Sequence, residues 1–160
     1  MAKVYVGFSS SNGKLALFSW AIKAVQKTPY SHTYLRFHSN ELNQDMVFQA
    51  SGLAVNLISY QTFLTKENVY KEFAIDITDA QWTELTQIFC EGLGQPYSIT
   101  QILNTFCYIV FRSKPLSKYI EGWDCSKLME KVLNALNLKL PFDMNVVTPK
   151  NVFDFLNNRT

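Results

Sequence analysis

The chain has 160 residues, of which 48% are hydrophobic and 18% charged, with a formal net charge of +2. That length buries a full core without staples, and the hydrophobic content excludes a disordered chain. So small a net charge, with no cluster of Lys and Arg, gives no reason to expect a nucleic-acid partner.

Taken in chain order, AKVYVGF (residues 2–8) alternates and is rich in Val and Tyr, the pattern of a strand. SSSNGK then has the chemistry of a turn. Leu15, Phe18, Ile22 and Val25 share one stripe of a helix predicted over 15–27, which Pro29 ends. YSHTYLRF (30–37) and MVFQAS (46–51) read as two strands joined by a long polar loop, HSNELNQD. Gly52 leads into a strand over 53–59, a turn or short helix over 60–68, and a further alternating strand over 69–76. Thr78 or Asp79 is placed to cap a helix over 80–93. Further helices are predicted over 98–111, from Cys125 to about Leu136, and after Pro149. About five strands with helices grouped before and after them predict one α+β domain over residues 1–160.

Lys3 is followed by the alternating strand pattern rather than by an apolar run, so no signal peptide and a cytoplasmic location are expected. The longest apolar-leaning run, Ile99–Phe111, is shorter than the ~20 residues of a membrane span and contains Gln101, Asn104 and Thr105. Three cysteines without paired spacing fit reduced thiols, and two histidines without close partners make a poor zinc set. No cofactor or metal is expected.

Cys125 differs from the other cysteines in its place. Cys90 and Cys107 lie inside predicted helices among apolar residues, where burial is expected. Cys125 stands on the first residue of its helix, behind Asp124 in the N-cap position, and Leu128, Met129, Val132, Leu133 and Leu136 form the apolar stripe after it. A helix start carries unpaired N–H groups and a partial positive charge, which lower a thiol's pKa and can stabilise an oxyanion. The alternative is that Cys125 is a small buried hydrophobe. A nucleophilic cysteine needs a base, and the chain has two histidines, His32 inside a strand and His38 at the start of a polar loop. Gln49, flanked by apolar residues in the next strand, is placed to hold the His32 ring if the two strands pair. A structural hydrogen bond would equally account for a buried Gln at a strand centre.

The segments YSHTYLRF, MVFQASGLAVNLISYQTFL, GQPYSITQIL, GWDCSKLMEKVL and VVTPKNVFDFL, in this order, resemble the circularly permuted branch of the NlpC-type papain-like cysteine hydrolases. The YiiX/YaeF-like proteins and lecithin:retinol acyltransferase belong to that branch. The resemblance covers roughly residues 1–155 and implies a permuted papain-like fold. By residue, it implies Cys125 as nucleophile, with its backbone N–H at the oxyanion, His32 as general base, and Gln49 as the third polar residue. Many relatives carry Glu or His in that third position, so Gln49 departs from the commoner choice. Tyr97 matches an aromatic residue that such proteins often carry before a helix, either for substrate or for packing.

The function so implied is hydrolysis of an amide bond in a peptide, an isopeptide or a peptidoglycan stem peptide, and a phage or prophage origin would supply a route to the cell wall. Two alternatives stand beside it. One is acyl transfer or thioester hydrolysis on a lipid acyl chain, and the other is a catalytically silent binding module. The sequence leaves the oligomeric state open.

Overall fold

Five antiparallel strands form one sheet in the order β4-β3-β2-β1-β5 in the computed structural model, which describes residues 2–12, 16–52, 54–96, 98, 123–141 and 147–159. The strands are β1 (Ala2–Ser11), β2 (His32–Ser39), β3 (Gln44–Ser51), β4 (Ala54–Ser59) and β5 (Glu67–Ile77). The described helices are α1 (Ala16–Gln26), α2 (Tyr60–Leu64), α3 (Asp79–Gly92), α4 (Cys125–Ala135) and α5 (Pro149–Asn157). The expected mixture of helices with about five antiparallel strands is therefore present. The predicted helix over 98–111 lies outside the described residues, as do Tyr97 and Cys107. Among the described residues, no helix is long and apolar enough to cross a membrane.

Strand alternation sorts the side chains onto two unequal faces. On the larger face, Val4, Val6, Phe8, Leu35, Phe37, Phe48 and Phe73 pack with Leu85 and Phe89 of α3, with the α4 stripe, and with Val152 and Leu156 of α5. On the other face, Tyr34, Val47 and Phe63 form a small second cluster, with Ile58 and Tyr60 against it. Because β3 is covered on both faces, it is buried continuously from Met46 to Ala50. The run MVFQA is therefore nearly all apolar, and Gln49 inside it needs a partner.

Two hairpins connect β2, β3 and β4. The eight-residue polar loop expected after Phe37 shrinks to a turn over 40–43, because β2 runs on to Ser39 and β3 starts at Gln44. The pairs His38↔Asp45 and Ser39↔Gln44 extend the ladder into the polar segment, and His38 Nδ1 lies 2.9 Å from Asp45 Oδ1. Asn43 closes the turn at φ 47°, a left-handed conformation that Asn tolerates. In the second hairpin, Gly52 has φ 71° and Ser51 pairs with Ala54.

A polar network ties three strands together on the smaller face. Gly7 is the register partner of both Tyr34 and Glu72. The Tyr34 ring lies across Gly7, where an added Cβ would stand 2.1 Å from Tyr34 Cζ. Tyr34 Oη then donates to Glu72 Oε1 at 2.9 Å. Arg36 grips the same carboxylate through Nε and Nη2, and its Nη1 reaches Asp45 Oδ2 at 2.6 Å. Its guanidinium is stacked over the Tyr5 ring, 3.9 Å from the centroid. Burial of the Tyr34 phenol, with the Glu72 charge beside it, pushes its pKa far above the ordinary tyrosine range.

Candidate functional site

Helix α4 begins where the sequence places its start. Asp124 is the N-cap, and its Oδ1 accepts from the N–H groups of Ser126 and Lys127, both at 2.8 Å. These two N–H groups lack partners inside the helix, so the carboxylate satisfies them and fixes Cys125 as the first helical residue. Leu128, Met129, Val132 and Leu133, all fully buried, then clamp α4 onto the larger face, against β2 and β3. The thiol of Cys125, 7% exposed, is thereby lodged at the beginning of β2.

The backbone N–H groups of Thr33 and of Cys125 itself point at the sulfur. Ser126 Oγ lies 3.9 Å from it. The β2–β3 ladder ends at Leu35↔Phe48 although both strands run further, so the thiol meets β2 where the two strands have stopped pairing. The Thr33 hydroxyl beside this point is fully buried and has no hydrogen-bond partner.

His32 and Gln49 meet diagonally, just past the Leu35↔Phe48 pair at which the β2–β3 ladder ends. His32 Nε2 lies 2.8 Å from Gln49 Oε1, with both side chains buried. The His32 ring stacks toward Tyr34, with centroids 6.5 Å apart, so it leaves the sheet on the smaller face while α4 covers the larger one. The thiol and the imidazole thus both stand at the same end of β2, at the neighbouring residues Thr33 and His32. The hydrogen bonds of the two side chains go to the groups just named, and none joins Sγ to the His32 ring.

The electrostatics at the sulfur oppose the expectation from its place at a helix start. Burial, reinforced by the Asp124 charge, pushes the Cys125 thiol up to about 12, and the N–H of Thr33 and the Ser126 hydroxyl offset this only in part. The partial charge of the helix end does not overcome desolvation of a thiolate in so closed a place. Asp124 is itself raised, by burial first, against the two N–H bonds that favour its charged form.

Asn56 belongs to this constellation and went unremarked in the sequence. Gln49 Nε2 donates to Asn56 Oδ1 at 3.2 Å, and Asn56 Nδ2 donates to the carbonyls of Ser51 at 3.2 Å and Ala54 at 3.1 Å. A signal for it existed. Ser51 pairs with Ala54 across the hairpin, and that register places Gln49 directly opposite Asn56.

The remaining expected residues fall elsewhere. His38 is exposed as expected but is tied to Asp45 on the opposite strand, away from the thiol. Cys90 is exposed, against the expectation of burial. The buried stripe of α3 runs through Leu85, Phe89 and Gly92, with Trp82 and Ile88 partly buried, and Cys90 lies off it. Tyr97 lies outside the described residues. Among the described residues, no group of three or more His, Cys, Asp and Glu side chains is arranged to hold a metal ion.

Compared with known proteins, the chain matches no family model and has no significant similarity to a curated sequence.

Proposed function

We propose that the protein is a thiol-dependent hydrolase of amide bonds, built on a permuted papain-like arrangement with Cys125 as nucleophile and His32 as base. The observation that carries this reading is the 2.8 Å contact from His32 Nε2 to Gln49 Oε1, which commits one ring nitrogen to the amide and leaves Nδ1 for a proton. Support comes also from Cys125, held by its N-cap at the first position of α4 and next to the residue that follows His32.

In this mechanism the resting thiol is neutral, because burial disfavours the thiolate. His32 Nδ1 takes the thiol proton as sulfur bonds to the substrate carbonyl carbon, and the Cys125 N–H donates to the resulting oxyanion. The protonated His32 then gives its proton to the departing amine as the C–N bond breaks. Water, deprotonated by the same ring, releases the acyl group and restores the thiol. A peptide, isopeptide or peptidoglycan stem peptide is the substrate class.

A second reading is favoured by the raised pKa and the separate hydrogen bonding of thiol and ring. In it, the same fold is a catalytically silent binding module. An electrophilic peptidyl probe, with intact-mass detection, separates the two. The hydrolase reading expects one label on Cys125, lost in His32→Ala, together with turnover on at least one substrate of a peptide, isopeptide and acyl-ester panel. Absence of label and turnover in the natively folded protein leaves the binding module. Labelling with transfer of an acyl chain, and no released amine, assigns the site to acyl chemistry instead.

A further inference from the structure

We infer that Asn56 is a positioning residue that sets the tautomer of His32 through Gln49, an inference that rests on His32 acting as the base. For Nδ1 to take a proton, the neutral ring must carry its hydrogen on Nε2. Gln49 alone does not ensure this. A side-chain amide can present either its oxygen or its NH2 group, and the NH2 group would select the opposite tautomer, with Nδ1 already protonated.

The chain of partners beyond Gln49 removes the choice. The carbonyls of Ser51 and Ala54 can only accept, so the side of Asn56 that faces both of them is its NH2 group. This turns Asn56 Oδ1 toward Gln49, where an oxygen can only accept, so Gln49 must offer its Nε2 there. Gln49 Oε1 is then the atom left for His32, and the ring must donate from Nε2. Each link forces the next. The chain starts at two backbone carbonyls of a hairpin turn, whose directions the turn itself fixes, and ends at the catalytic proton. Gln49 and His32 are buried, so water does not compete for these bonds on equal terms.

The test is nitrogen-15 NMR of protein labelled at histidine, read above the titration range of the ring, where pyrrole-type and pyridine-type nitrogens are resolved. The two histidines are separated with His38→Asn. The wild type is expected to hold its His32 hydrogen on Nε2. In Asn56→Leu the ratio of the Nε2–H to the Nδ1–H form falls by roughly five- to tenfold, the equivalent of one ordinary hydrogen bond. If that variant fails to fold, Asn56→Ser, whose hydroxyl both donates and accepts, is expected to do the same. Gln49→Glu supplies a decisive control, because a carboxylate only accepts. Adding it to Asn56→Leu restores the Nε2–H ring, which repair of a merely structural defect would not do.

An unchanged His32 tautomer in the Asn56 variants, a wild-type ring protonated on Nδ1, or failure of Gln49→Glu to restore the ring each overturns the inference. None of these readings requires turnover. Probe labelling of Cys125 in the same samples reports on the hydrolase reading separately.

Discussion

Replacing Asp124 by Asn isolates the charge beside the thiol from the cap that positions it. Asn caps a helix about as well as Asp, so the start of α4 and its packing should survive, with a melting temperature within a few degrees of wild type. The charge, however, is lost. A separation of roughly 6 Å between carboxylate and sulfur is taken as the order of magnitude for side chains on adjoining residues. At an effective dielectric near 20 the repulsion is then about 2–3 kcal/mol, an upper bound of about two pKa units. In a Cys90→Ser, Cys107→Ser background, the pH dependence of iodoacetamide alkylation should show a Cys125 midpoint near about 12 in the parent protein. Asp124→Asn should lower it by one to two units. Near pH 8 the thiolate fraction of the parent is on the order of one in ten thousand, so alkylation should accelerate some ten- to hundredfold in the variant. A midpoint unmoved by the substitution would show that the carboxylate is not felt at the sulfur. A parent midpoint at or below the ordinary thiol value would refute the argument from burial.

Other expectations follow from the same geometry. With all cysteines present, Cys90, which is exposed, should be alkylated well before Cys125 near neutral pH. The folded thiol, raised from 9.0 to about 12, keeps its proton where the unfolded chain loses it. Its contribution to stability is thus complete below pH ~9 and lost as pH rises toward ~12, by up to about 4 kcal/mol; chemical denaturation of Cys125→Ala against wild type over that range should isolate the slope. Gly7→Ala drives a methyl group into the Tyr34 ring and should cost about 2–4 kcal/mol by urea denaturation. Cys125→Ser should abolish turnover with a small change in melting temperature, and His32→Ala should abolish it while costing about 1–3 kcal/mol for the Gln49 acceptor left unpaired. Gln49→Ala should leave residual turnover, and His38→Ala should be near neutral in activity. Loss of turnover on replacing His38 but not His32 would assign the base wrongly here.

Much of this fold was legible because its strands alternate and its helices carry caps. Thr78 and Thr148 both sit in capping boxes, closed by Gln81 and Asn151, and Asp124 caps α4 as its place before an apolar stripe indicates. Register was the part that local patterns hid. The extension of β2 and β3 into HSNELNQD depends on cross-strand pairing of His38 with Asp45, which no single strand displays. The His32–Gln49 contact was legible because strands adjacent in sequence pair, whereas Asn56 required the second hairpin's register as well. The thiol's pKa was not legible, since the helix end is written in the sequence and the closure of the site around it is not. Cys90 was misplaced because its neighbours are apolar while its direction on α3 is not inward.

The sheet order has a consequence for the nascent chain. Strands β2, β3 and β4, with His32, Gln49 and Asn56, form one contiguous meander over residues 32–59, and only short turns join them. Such local pairings close early, so the histidine and its two amides can be assembled while the rest of the chain is still being synthesised. The larger face of that meander meets α3 first, through Phe89 on Phe37 and Phe48, and is covered further when α4 emerges and seats Leu128, Met129, Val132 and Leu133 upon it. Cys125 heads this same helix, so a step that builds the core is also the step that delivers the thiol. A ribosome stalled before residue 125 would hold a sheet only partly covered, by α3, and without its cysteine, a species for chaperones to shield.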